Sequence, residues 1–287
     1  MLSIVGLVVV MAAVFGVFVL HGGDLAPVIH AAPAELASIG GAAIGAMLVG
    51  NSMNVIKGVA SGFGKVFGGP KYKKQDYLDT IFLVSRLMKI LRVDGPVALE
   101  SHVENPESSA IFGEYPKLLK DHTLVHLITD TVRLMVISSG TLNAYAVEEV
   151  MDNGLKAHHH HSMEPVTALG AMAGACPALG IVACVLGVVK TMGSIDQPPA
   201  VLGALIGSAL VGTFMGVLLA YGVIEPISFR LKQVIEEDSE IYVVVKQIIV
   251  ATLHGHPQPL VIEAARSGIA HHNQPDFGEV FDGLRGK

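Results

Sequence analysis

The sequence predicts an all-α, polytopic membrane protein with four transmembrane helices and a helical cytoplasmic domain, and three observations carry that reading. Four runs, 1–23, 36–56, 168–189 and 200–224, contain no Asp, Glu, Lys or Arg. Each exceeds the roughly 18 to 20 residues a helix needs to cross a hydrocarbon core of about 30 Å. Of the 19 Lys and Arg, 18 fall in the segments 57–167 and 225–287, while the short connections near 24–35 and 190–199 hold only Lys190. By the positive-inside rule both long segments, and with them both chain termini, face the cytoplasm. Finally, no strand-like alternation competes with the helical patterns between the runs.

Composition agrees. A chain with 51% hydrophobic and 15% charged residues and a mean hydropathy of +0.56 is too apolar for an ordinary soluble domain. More than half of it nonetheless lies outside the four runs, so a sizeable polar domain must accompany them. A net charge of −6 without a basic stripe argues against nucleic acid as a partner. The first run lacks a basic leader and is longer than the core of a secretory signal, so it is expected to stay as a membrane helix. The resulting division is 1–56 for the first two membrane helices, 57–167 for a cytoplasmic helical domain, 168–224 for the last two membrane helices and 225–287 for a cytoplasmic extension and tail.

In chain order, the membrane helices are rich in small residues four apart: Gly41 and Gly45, Gly170 and Gly174, Gly203 and Gly207, Gly212 and Gly216. Lipid gives apolar helices no hydrophobic reason to associate, so close backbone packing must hold them together, within one bundle or between subunits. A Gly-rich, Lys-bearing stretch from Asn51 to Pro70 leaves the membrane. Leu78, Ile81, Phe82, Leu87, Met88 and Leu91 then recur at helical spacing, and Gly95–Pro96 ends that helix. Further helices are expected from Lys117 to about Ser139, from Leu142 to about Leu155, from Ile227 to Leu253, and from Leu260 to Gly268. The His-, Gly- and Asp-bearing tail from Ala270 reads as mobile.

The residues that carry chemistry in other proteins are sparse here. The run His158 to His161 can titrate near neutral pH or capture a metal, but consecutive residues diverge on a helix, and a polar interfacial stretch is the preferred reading. His122 and His126 have the i, i+4 spacing of a zinc helix without its Glu, since Thr123 follows His122. Cys176 and Cys184 are eight residues apart, about 12 Å along a helix, out of disulfide reach and expected as packing residues. No phosphate loop, nucleophile elbow or dinucleotide fingerprint occurs, so no enzyme, metal or cofactor is expected. The apolar runs also lack the carboxylate that an ion carrier keeps inside the membrane at a cost of roughly 2.5 to 3.5 kcal/mol. If the chain conducts ions, the titrating acid is expected from another chain.

Specific strings go further. Pro177-Ala-Leu-Gly-Ile-Val-Ala-Cys184, Leu202 to Ile206, Leu210 to Phe214 and Leu218 to Gly222 up to Pro226 resemble flagellar motor stator subunits of the MotA type. So do Pro33-Ala-Glu-Leu36, Glu104-Asn-Pro106, Tyr115–Pro116 and the turn from Gly255 to Pro259, in the same order along nearly the whole chain. The resemblance implies a homo-oligomeric ring, expected as a pentamer, in the bacterial inner membrane. That ring would surround a dimer of a single-span MotB-type partner whose intramembrane Asp binds the ion. It implies an ion pathway with coupling residues Pro177, Cys184, Thr213 and Pro226, and a pair, Arg92 and Glu100, that meets the rotor protein FliG. Sodium-driven relatives place Thr where this chain has Cys184. Sulfur is a poor ligand for a hard cation, so protons are the expected ion. A non-flagellar energy-coupling subunit of the ExbB or TolQ type, or a structural membrane scaffold, is the alternative; the former has three membrane helices rather than four.

Overall fold

The computed structural model describes residues 2–138 and 143–285, and all regular structure among them is helical. Four helices are long and apolar enough to cross a membrane: α1 (Leu2–Leu20), α2 (Ala26–Gly50), α9 (Ala144–Met192) and α10 (Pro199–Leu253). Between them lie α3 (Met53–Gly68), α4 (Lys74–Val93), the short helices α5 (Glu100–Glu104), α6 (Ala110–Gly113) and α7 (Pro116–Leu119), and α8 (His122–Ile137). After α10 come α11 (Gln258–Ser267) and α12 (Phe277–Arg285).

The chain forms two compact units, residues 1–69 with 162–235 and residues 70–161 with 236–287. The first, the membrane unit, has a core of small and branched residues: Ala31, Ile39, Ala43, Ala173, Cys176, Ala183, Val211 and Met215 are all buried. Helix α2 packs along the first part of α10. Helix α3 presents Val55, Val59, Gly62 and Val66 to this core, a one-sided stripe at three- and four-residue spacing. At Gly62 an added Cβ would stand 2.8 Å from a Leu231 methyl, so the missing side chain is what lets α10 approach. Two helices carry wide π-type turns, Ala12–Gly16 in α1 and Leu218–Ile224 in α10, the latter directly before Glu225 and Pro226.

The second, polar unit packs larger residues. Tyr77, Leu83, Leu87, Phe112, Leu124, Ile128 and Met135 are buried, each contributing roughly 1.5 to 3 kcal/mol by leaving water. Helix α4 begins where the buried Asp76 carboxylate accepts the Lys73 amide at 2.8 Å and pairs with Lys117. Asp121 does the same work for α8, accepting from the Leu124 amide at 3.3 Å.

Five expectations change. The second membrane helix runs from Ala26 to Gly50 rather than over the apolar run 36–56. It ends where the Asn51 side chain bonds the Met47 carbonyl at 2.8 Å. It carries Pro27 and Pro33 in its first third and, as its tenth residue, Glu35, which an uncharged-run criterion had excluded. The helix expected to end at about Leu155 runs on unbroken through His158 to His161 and up to Met192 as α9. Within the stretch from Asn51 to Pro70, Met53–Gly68 forms the amphipathic α3, on which Gly58 and Gly62 are close-packing positions while Gly64 and Gly68 are open. The helix expected from Lys117 is interrupted, since Asp121 starts a new one. The tail from Ala270 folds as α12, whose Val280 is buried and whose start is tied down by Lys74 to Asp276 and Glu279. The expected helix end at Ser139 and start at Leu142 lie outside the described residues.

Candidate functional site

In the membrane unit α9 and α10 cross so closely that their backbones touch. A Cβ on Gly180 would stand 2.8 Å from the Gly212 carbonyl, 3.1 Å from the Gly216 Cα and 3.3 Å from the Thr213 Cα. A Cβ on Gly216 would stand 2.6 Å from the Cys176 carbonyl. Only glycines permit this, because the obstacles are main-chain atoms that cannot rotate away. Gly187 repeats the contact two turns on, against Ala209. By contrast, Gly41, Gly45, Gly170, Gly174, Gly203 and Gly207 have no such neighbour within 4 Å, so the glycine pattern serves this crossing through Gly212 and Gly216 alone.

Three of the four residues expected in the pathway meet at the crossing. Pro177 lies one turn before Gly180, Thr213 is opposite Gly180, and the Cys184 amide is 3.2 Å from the position of a Gly212 Cβ. Pro177, Cys184 and Thr213 are all partly exposed. The proline has no amide to give the Ala173 carbonyl one turn earlier, which weakens α9 at this level. Pro226 stands apart, thirteen residues beyond Thr213 and so about 20 Å along α10, exposed, at the exit of the π-type turns. Cys176 and Cys184 are unlinked thiols, as their spacing requires.

A group that the apolar-run reading missed joins this cluster. The Glu35 carboxylate on α2 is half-buried, with one oxygen 2.8 Å from where a Gly212 Cβ would be. The signal was present as the Pro33-Ala-Glu-Leu36 string, but it lay one residue outside the uncharged run.

In the polar unit Arg92 closes α4. Its guanidinium donates to the Thr252 carbonyl at 3.2 Å and to the His256 carbonyl, capping the C-terminal end of α10, while the side chain stays exposed on its other face. Glu100 is the exposed first residue of α5, beyond a turn that Gly95 makes at φ +84°. At the other end of α4, Lys71 and Tyr72 both donate to the buried Asp121. Burial pushes that carboxyl up, but the two donors outweigh it and hold it below the usual aspartate range. Burial, then the bond to Asp121, raises the Tyr72 phenol far above its ordinary value. His122 and His126 are both exposed on α8, a surface pair. The His158 ring packs edge-on against Tyr242 at 5.0 Å, and the His160 and His161 rings meet at 5.8 Å.

The chain's relatives give the class of protein that these two helical units build, a subunit of a proton channel family. A family model described as motility protein A N-terminal matches residues 4–95, and one described as the MotA/TolQ/ExbB proton channel family matches residues 121–242. Motility protein A of Salmonella typhimurium is 39% identical over 99% of this chain and 95% of its own. Chemotaxis protein LafT of Vibrio parahaemolyticus is 31% identical over 98% and 97%. The structure titled C. jejuni MotAB superposes with a TM-score of 0.73 at 19% identity, covering 94% of this chain and 95% of that one. The flagellar MotAB stator complex from Bacillus subtilis gives 0.68, at 91% and 92% coverage. The chain belongs to the motility protein A family.

Proposed function

We propose that this chain is a stator subunit of a bacterial flagellar motor, which assembles with a MotB-type single-span partner into a proton channel and turns proton flow into torque. The observation that carries the reading is the Gly180–Gly212–Gly216 crossing with Pro177, Cys184 and Thr213 gathered around it. In this reading the chain sits in the inner membrane with both termini cytoplasmic, in a ring, expected as a pentamer, around two partner helices. The partner's Asp takes up the proton beside Thr213. Losing that charge changes which arrangement of the surrounding helices is preferred. Helix α9 yields at Pro177, where a backbone bond is already missing, and α10 yields at its π-type turns and Pro226. Arg92 and Glu100 on the polar unit meet FliG through complementary charge, which steers and orients the contact. The presence of Cys184 favours protons over sodium.

The test is co-expression in a cell lacking its own stator. Chain plus partner should restore rotation and neither alone should. Pro177→Ala should co-purify with the partner and insert normally, yet slow tethered-cell rotation severely. Failure of the pair to restore rotation or proton flux would sink the reading, and full-speed rotation of the Pro177→Ala protein would remove that residue from the mechanism.

A further inference from the structure

We propose that Glu35 is a proton-binding site of the membrane unit in its own right, on the outer approach to Thr213 and additional to any acid a partner brings. Helix α2 is 25 residues long and Glu35 is its tenth, about 14 Å along the axis, so the carboxylate is within the span rather than at its rim. Ionisable groups at such depth cost roughly 2.5 to 3.5 kcal/mol on insertion scales and persist where they are used. Two independent observations make the position a built one. First, α10 places glycine opposite it: a Cβ on Gly212 would stand 2.8 Å from Glu35 Oε2, so a methyl group there would push the carboxylate away. Second, among the described residues no hydrogen bond or ion pair occupies the carboxylate, unlike Asp76 and Asp121 of the polar unit, each of which is bonded to a lysine.

The surroundings add no second charge at its level. Residues 2–20 of α1, 168–189 of α9 and 199–224 of α10 contain no Asp, Glu, Lys or Arg. The titratable side chains on these stretches are Cys176 and Cys184 of α9 and Tyr221 of α10. Helix α2 itself carries His30, α3 carries Lys57 and Lys65, α9 carries Lys190 in its last turn, and the connections hold His21, Asp24 and Asp196. A carboxylate with no facing cation is neutralised most directly by a proton. The step is a simple one: hydronium on the outer side gives a proton to a Glu35 oxygen, forming one O–H bond, and that bond breaks when the proton passes inward to water or to a more basic carboxylate beside Thr213. Because Gly212 and Thr213 are adjacent on α10, the two positions belong to one turn.

The part of this proposal that concerns flux rests on the stator reading, whereas proton binding by the chain alone does not, and the experiment separates them. Full-length chain without partner, in liposomes, is titrated with acid while infrared difference spectra follow the protonated-carboxyl band. One component of that band, moved to lower frequency in heavy water because the site exchanges with water, should grow in the wild type, be missing in Glu35→Gln, and shift in frequency and midpoint in Glu35→Asp and in Gly212→Ala. With partner present, Glu35→Gln should lower proton flux on the order of tenfold or more, a modest share of what a positioned proton-transfer group contributes, and Glu35→Asp should restore much of it with a displaced pH profile. Glu35→Gln is nearly isosteric, and co-purification with the partner reports that it folds. An unchanged carboxyl band in Glu35→Gln, or wild-type flux and pH profile in that variant, overturns the proposal. A wild-type pair that shows the band but no flux would overturn the stator reading instead.

Discussion

The two units solve the problem of holding helices together in opposite ways. The membrane unit uses absence: glycines at 180, 187, 212 and 216 bring main chains into contact, and the buried residues around them are mostly small. The polar unit uses bulk and charge, with Tyr77, Phe112 and a set of leucines inside and Asp76 and Asp121 clamped by Lys117 and Lys71. The difference follows from solvent. Outside the membrane, removing large apolar side chains from water stabilises by itself. In lipid it does not, so what stabilises is the number of van der Waals contacts a close backbone approach allows. The first unit should therefore be intolerant of added atoms and the second of removed ones.

The largest expected effect breaks the first half of that contrast. Gly216→Val would put its Cβ 2.6 Å from the Cys176 carbonyl and 2.9 Å from the Gly180 Cα. Both obstacles are backbone, so α9 and α10 must separate, at a cost of about 1 to 3 kcal/mol or more and with the loss of the local geometry around Thr213. Gly207→Val, at a position with nothing within 4 Å, is the control and should leave the single chain's fold intact. Protease protection of the two proteins in membranes measures this. Equal protection would mean the crossing is not what holds the unit together.

Much of this was legible in the sequence because the relevant signals were local. Four uncharged runs and the distribution of Lys and Arg gave the membrane helices, and the Pro177-to-Cys184 and Leu210-to-Phe214 strings named the residues that converge at the crossing. What escaped depended on partners far away in the chain. Glycines 203, 207, 212 and 216 look alike in sequence, and only the position of α9 separates the two that are packed from the two that are open. Glu35 was missed because a hydropathy run ends at a charge, whereas a helix does not. Nothing in the local pattern around Arg92 shows that its guanidinium bonds the Thr252 and His256 carbonyls at and just beyond the end of α10. The helical tail follows from Val280 finding a core that sequence periodicity over nine residues could not reveal.

A smaller effect sharpens the second half of the contrast. Asp121 has a lowered value when folded, so the stability it contributes is complete above about pH 4, the ordinary aspartate value, and is lost as pH falls further through the folded value. Tyr72 and Tyr77 behave in the opposite sense. Burial is the first cause of both raised values, so their contribution is complete below about pH 10 and is lost as pH rises beyond it. Asp121→Asn should cost about 1 to 3 kcal/mol near neutrality, because Lys71 and Tyr72 lose a charged acceptor while the cap on α8 survives in weaker form. It should also flatten the acid limb. Hydrogen exchange across α8 as a function of pH measures both, and an acid limb unchanged by the substitution would place the pH sensitivity elsewhere.

The smallest effect tests whether a polar bond between helices in the membrane unit matters more than one within a helix of the polar unit. Ser228, buried in the membrane unit, donates to the Val166 carbonyl at 3.0 Å and so joins α10 to α9. Thr80, equally buried in the polar unit, donates at 2.7 Å to the Asp76 carbonyl one turn back on its own helix. Both hydroxyls are satisfied, but only the first bond links two helices; the second is local and forms wherever α4 forms. Ser228→Ala leaves Val166 with its helical bond and removes an interhelical one, a loss of about 0.6 to 1.7 kcal/mol. Thr80→Val keeps the shape and removes a bond that competes with the helix ladder, so it should cost less, within about 0.5 kcal/mol, provided the methyl fits the site of the hydroxyl. Thermal unfolding of the two variants in the same bilayer discs compares them directly. If Thr80→Val proves the more damaging, interhelical polar bonds are not what the membrane unit relies on beside its glycines, and close backbone contact alone must account for its cohesion.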